Sequence, residues 1–137
     1  MSAASDFLEK AILDHVLGNA TYTQPSIIYL GLFTNTSGNA SSNLEAGVLT
    51  DEVSGGDYAR EVITFAEAVS PDGSADSDAT VTFPAASANW GEVTHVAVMD
   101  APSAGNVLFY GTVTTPKTIE SGDTFQVSAG NLTITLA

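Results

Sequence analysis

The sequence predicts a mainly β protein: an antiparallel β-sandwich, jelly-roll-like, preceded by one short N-terminal amphipathic helix. Three observations carry that reading. Beyond Pro25 the apolar residues fall in short runs of period two, the pattern of strands with one buried face. Turn residues punctuate those runs at close intervals, as in 54–57, 70–73, 104–106, 121–123 and 129–131. Ser (14 residues) and Thr (16) occupy the polar positions that Lys and Glu fill in most proteins, which suits exposed sheet faces.

The helix comes first. Ser5 and Asp6 are candidate N-caps, and Asp6 with Glu9 has the spacing of a capping box. Leu8, Ile12 and Val16 follow at i, i+4, i+8, with Leu13 and Leu17 beside them, so one apolar stripe is expected to pack on the sandwich or on a neighbouring molecule. Gly18-Asn19 supplies the stop, and His15 lies in the last turn, where the helix dipole favours a cation.

Strands are expected over 26–34, 59–66, 79–83, 93–99, 107–114, 124–129 and 132–136, with a weaker run at 118–120. Seven or eight such strands favour a sandwich, jelly roll or Greek key over an α/β fold. The chain thus divides into an N-terminal helical arm, 1–25, and a single β-sandwich domain, 26–137, with a long loop at 35–58. That loop is rich in Asn, Ser, Gly and acid, and is expected as an arm or surface loop touching a neighbouring subunit.

Composition narrows the function. The 137 residues carry 3 Lys+Arg against 16 Asp+Glu, a net charge of −13, and no cysteine. So few cations cannot neutralise a phosphate backbone or hold an anionic membrane surface, so neither nucleic acid nor membrane is expected as a partner. Thiol catalysis, thiolate zinc and disulfides are excluded outright. Charged residues make up 14% and hydrophobic ones 44%, which is the composition of a folded core rather than of a disordered acidic chain. No apolar run approaches the ~18 residues of a membrane helix, no secretory signal stands at the N-terminus, and synthesis in a cytoplasm is the expectation.

Chemistry is thin. His95 could join Asp100 and a serine as a hydrolase triad, but there is no Gly-x-Ser-x-Gly elbow, so a structural or interfacial His95 is expected. Asp51-Glu52 could imitate a glycosidase pair, and is read instead as part of a solvated loop. Asp72, Asp76 and Asp78 have the odd-position spacing of a Ca²⁺ loop, yet Ser77 stands where its glycine belongs and Phe83 where its glutamate belongs; no metal and no cofactor is expected. The scarce cations are more informative. Arg60, flanked by Asp57 and Glu61, is expected to make a bidentate pair with a carboxylate inside the fold or across subunits, and Lys117 to do likewise. Trp90, the single tryptophan, is expected as a core anchor or an interface hot spot.

Several short motifs in order carry a resemblance. Leu13-Asp14-His15, Tyr29-Leu30-Gly31-Leu32-Phe33-Thr34 and Gly55-Gly56-Asp57-Tyr58-Ala59-Arg60 are followed by Val81-Thr82-Phe83-Pro84 and Trp90-Gly91-Glu92-Val93-Thr94-His95-Val96. Leu108-Phe109-Tyr110-Gly111 and Ser121-Gly122-Asp123-Thr124 complete the set. Together, from about Asp6 to Leu136, they resemble small tailed-bacteriophage virion proteins catalogued as tail fibre or head decoration (cement) proteins. The resemblance implies a noncatalytic structural virion component. Because the chain has no internal repeat, heptad or shaft, a capsid decoration protein is the first expectation: a homotrimer on the outer surface of the shell, with the major capsid protein as partner. A tail-fibre or receptor-binding component is the alternative.

Overall fold

The computed structural model describes residues 3–136; residues 1, 2 and 137, the outer ends of the two units expected from sequence, lie outside the described residues. In chain order the elements are β1 (Ala3–Ala4), α1 (Asp6–Val16), β2 (Ile28–Phe33), α2 (Ala40–Glu45), β3 (Glu61–Ile63) and β4 (Ser74–Asp76). β5 (Val81–Thr82), β6 (Gly91–Met99), β7 (Val107–Ile119), β8 (Gln126–Val127) and β9 (Thr133–Thr135) follow.

Five strands form one antiparallel sheet in the order β1-β7-β6-β2-β3. The opposing layer is two separate ribbons, β4 with β9 and β5 with β8. The fold is therefore mainly β, antiparallel and sandwich-like, with one continuous sheet and one broken one. β2 shows why its sequence is apolar without interruption. Leu30 and Leu32 pack with Val81, Phe83 and Phe125 of the ribbon side, while Phe33 packs with Leu44 behind the sheet. A strand buried on both faces has no reason to alternate.

Leu44 belongs to the segment expected as a loop at 35–58. That segment folds back on its own sheet: α2 buries Ala40 and Leu44, and the chain then runs beside β2, where Thr34 N–H donates to Asp51 O at 2.9 Å and Val53 N–H to Leu32 O at 3.0 Å. Two or three apolar residues in a polar stretch are enough to pin it.

β6 is the central strand, and its pairing with β7 carries an irregularity. Val93 faces Lys117 and His95 faces Thr112, so four residues of β7 arch out opposite Thr94 alone. Pro116, which has no N–H to give a ladder, lies within the arch. The runs expected at 107–114 and 118–120 are thus one strand with a bulge.

Ser5, not Asp6, caps α1: its hydroxyl accepts from Leu8 N–H at 3.2 Å and donates to Val107 O, while Ser5 N–H donates to Leu108 O at 2.9 Å. No capping box forms from Asp6. The cap and β1 together rivet the helix to β7.

Candidate functional site

Arg60 sits just before β3 and turns inward, its side chain 2% exposed. Nε donates to Glu52 Oε1 at 2.7 Å and Nη2 to Glu52 Oε2 at 2.8 Å, the expected bidentate pair made within the chain. Its partner is neither flanking acid but Glu52, eight residues back. Nη1 donates to Ala101 O and Ala104 O, each at 2.8 Å, so one guanidinium ties the segment beside β2 to the β6–β7 turn. Tyr58 completes the cluster: its hydroxyl donates to Glu52 Oε1 and accepts from Leu32 N–H, both at 3.0 Å. Burial, with the Glu52 charge beside it, pushes the Tyr58 phenol far above its ordinary value. For Arg60, burial opposes the charge, but the Glu52 hydrogen bonds and charge outweigh it and hold the guanidinium above its usual value. Gly31 lies against the cluster: a Cβ there would press the Phe33 ring at 3.1 Å and stand in ordinary contact with Tyr58 Oη at 3.4 Å and Glu52 Oε1 at 3.5 Å.

Trp90 lies next to this cluster and is buried. Its ring meets Tyr58 edge-on at 5.5 Å, and Nε1–H donates to Gly56 O at 2.9 Å. Gly55, Gly56 and Asp57 all have positive φ (76°, 58° and 63°), the left-handed run that brings that carbonyl to the indole. A Cβ on Gly56 would stand 2.8 Å from Trp90 Nε1. In this chain Trp90 is packed as a core anchor.

His95 is buried on the α2 side of the sheet. Nε2 pairs with Ser41 Oγ at 2.9 Å and Nδ1 with Thr94 Oγ1 at 2.7 Å. Burial lowers its pKa, with the Asp51 charge pulling the other way. The serine–histidine contact has the reach of a nucleophile and base, but two hydroxyls bracket the ring and no carboxylate hydrogen-bonds to it among the described residues. Asp100 instead accepts from Asn106 N–H at 2.7 Å and Asn106 Nδ2 at 2.9 Å, closing the β6–β7 turn.

Asp51 and Glu52 depart from the solvated loop expected of them. Asp51 is buried and accepts from Ser37 Oγ at 2.5 Å, Ser37 N–H at 3.0 Å and Thr36 Oγ1 at 3.1 Å; the Ser37 hydroxyl above all holds its carboxyl below the usual range. The residues of the calcium pattern are not gathered either. Asp76 lies in β4 and accepts from Thr133 of β9 at 2.5 Å, Asp78 accepts from Thr64, and Asp72 is exposed. Among the described residues no three carboxylate or imidazole groups are grouped to hold a metal ion, and no helix is long and apolar enough to cross a membrane.

The helix stripe is divided. Leu8 is buried with Val98 and Leu108, and Ile12 packs at the edge of that cluster, but Val16 stands 71% exposed. Lys117 is exposed on β7 and forms no ion pair among the described residues, and Lys10 pairs with Asp14 one turn on. One surface had no signature in the sequence: a groove of about 480 Å³ between β7 and the ribbons, with half-buried Phe109, Val113, Val127, Leu132 and Ile134 in its lining. It exists because the two short ribbons leave part of the sheet uncovered, which strand periodicity does not reveal.

With fold and side chains in place, one comparison decides the family. The family model of Podophage GP4 fiber I protein gp80 matches residues 3–135. The chain belongs to that family. Membership in this fibre family makes it a structural protein of a bacteriophage virion, and the match spans α1, the sheet and both ribbons rather than a single motif. No curated protein matches the chain.

Proposed function

We propose that this protein is a noncatalytic tail-fibre or receptor-binding component on the outside of a bacteriophage particle, assembled as a homotrimer. The observation that carries this reading is the fibre-family match across nearly the whole chain. The side-chain networks fit a structural role: Arg60, Glu52, Tyr58, Trp90 and His95 spend their polar atoms on the fold itself. With one cation buried and two at the surface, neither nucleic acid nor an anionic membrane suits it as a partner.

Sequence reasoning puts a capsid decoration protein first; the fibre name of the family supports the alternative, which we place ahead of it. The decoration reading stays as the second because the acidic surface suits an outward-facing layer that keeps particles apart. In that reading the partner is the major capsid protein, bound on the outer surface of the shell. Immunogold labelling of purified virions, with copy number from quantitative mass spectrometry, separates the two. The fibre reading expects a small number of copies at the tail and antibody that blocks adsorption. Hundreds of copies over the head, with adsorption untouched, would replace it with the decoration reading.

A further inference from the structure

Charge is unevenly spread along this chain. Residues 16–44, 101–116 and 124–136 contain no Asp, Glu, Lys or Arg, although the protein carries 16 acids. Two exposed surfaces without charge draw on these stretches. One is convex: Leu13, Val16 and Leu17, spaced i, i+3, i+4 at the end of α1, are 58%, 71% and 69% exposed. The other is the concave groove beside β7, whose lining contains no charged residue.

We propose that copies of this chain join head to tail, the α1 ridge of one seated in the β7 groove of the next. Two molecules of net charge −13 repel wherever their surfaces carry acid, so close contact between copies is confined to charge-free faces. An apolar helix edge laid into a groove with an apolar floor is a recurrent mode of recognition, and here Phe109, Val113, Val127, Leu132 and Ile134 form that floor beneath a rim of Thr, Gln and Asn. Because ridge and groove are different surfaces, the contact is heterologous and closes into a ring when its rotation allows.

This inference rests on the homo-oligomeric reading above, and sedimentation velocity on three proteins tests both separately. The ridge variant is Val16→Asp with Leu17→Asp; the groove variant is Thr114→Asp with Gln126→Asp; all four positions are exposed, so the fold is spared. The unsubstituted protein should sediment as an oligomer and each variant as a monomer. An equimolar mixture of the variants should form a one-to-one dimer, since one intact ridge and one intact groove remain. If the groove variant melts more than a few degrees low, Thr115→Trp, which fills the groove's mouth without charge, takes its place. A monomeric unsubstituted protein overturns the inference together with the homo-oligomeric reading. An oligomer that survives in both variants overturns the ridge-and-groove joint alone, as does a mixture that stays monomeric.

Discussion

Replacing Glu52 with glutamine keeps the size of the side chain and removes its charge. In the folded protein two bonds from Arg60 to a carboxylate, at 2.7 and 2.8 Å, become one bond to an uncharged amide oxygen, and the new amide turns a donor toward a guanidinium that also donates. Arg60 keeps the Ala101 and Ala104 carbonyls but loses its counter-charge at 2% exposure. Removing one partner of a buried pair costs about 3–5 kcal/mol. Glu52 is itself 18% exposed, which places the expectation at the low end, about 3 kcal/mol. With ~2.1 cal/mol/K of unfolding entropy per residue, 137 residues give ~0.3 kcal/mol/K, so Tm should fall by about 10 °C. Scanning calorimetry at neutral pH reads that shift. A fall of less than about 3 °C would refute the idea that this pair ties the fold. The double variant Glu52→Leu, Arg60→Met should lose about 1–3 kcal/mol less than the sum of its single variants, because each single strands a charge that the double removes.

Four further outcomes are expected. Leu8→Ala should cost about 2–5 kcal/mol in urea unfolding, whereas Val16→Ala should stay within about 0.5 kcal/mol, since only the first leaves a cavity. Gly56→Ala should lower Tm by several degrees, because φ is +58° and the added Cβ meets the Trp90 indole; an unchanged Tm would show that the turn relaxes freely. Stability should fall with acid in two steps. His95 and Asp51 are both lowered in the folded state, so each contributes fully above its unfolded value and loses that contribution as pH falls through the folded one: His95 below ~6.5 and Asp51 below ~4. His95→Gln should flatten the first step and Asp51→Asn the second in urea midpoints measured across pH. Calcium added after chelation should leave Tm unchanged, since Asp76 and Asp78 are engaged with Thr133 and Thr64.

Much of the fold was legible because its signals are local. Leu8 and Ile12 declared a helix face, and β2, β6 and β7 stood out as apolar runs. What stayed hidden depends on contacts distant in sequence. Ser5 reads as an ordinary cap, yet its second bond reaches Val107, and nothing near Ser5 indicates that strand. Asp76 has the spacing of a metal ligand, and becomes a strand residue only because β9 arrives beside it. Arg60 announced a carboxylate partner by its scarcity, but Asp57 and Glu61 were nearer in sequence than Glu52, whose approach requires the 35–58 segment to fold back. Leu44, helped by Ala40 and Leu49, does that folding, too sparse an apolar signal in a polar stretch to read in advance. The groove is a property of what two ribbons fail to cover, and no residue encodes it alone.

The burial of Arg60 also decides how the molecule meets salt. A pair shielded from water is barely screened, while repulsion among exposed carboxylates reaches over ~8–10 Å and fades as ions are added. Dissolved electrolyte therefore relieves the unfavourable electrostatics and leaves the favourable pair intact. Brine should tighten this protein, and dilution into fresh water should be its harshest passage.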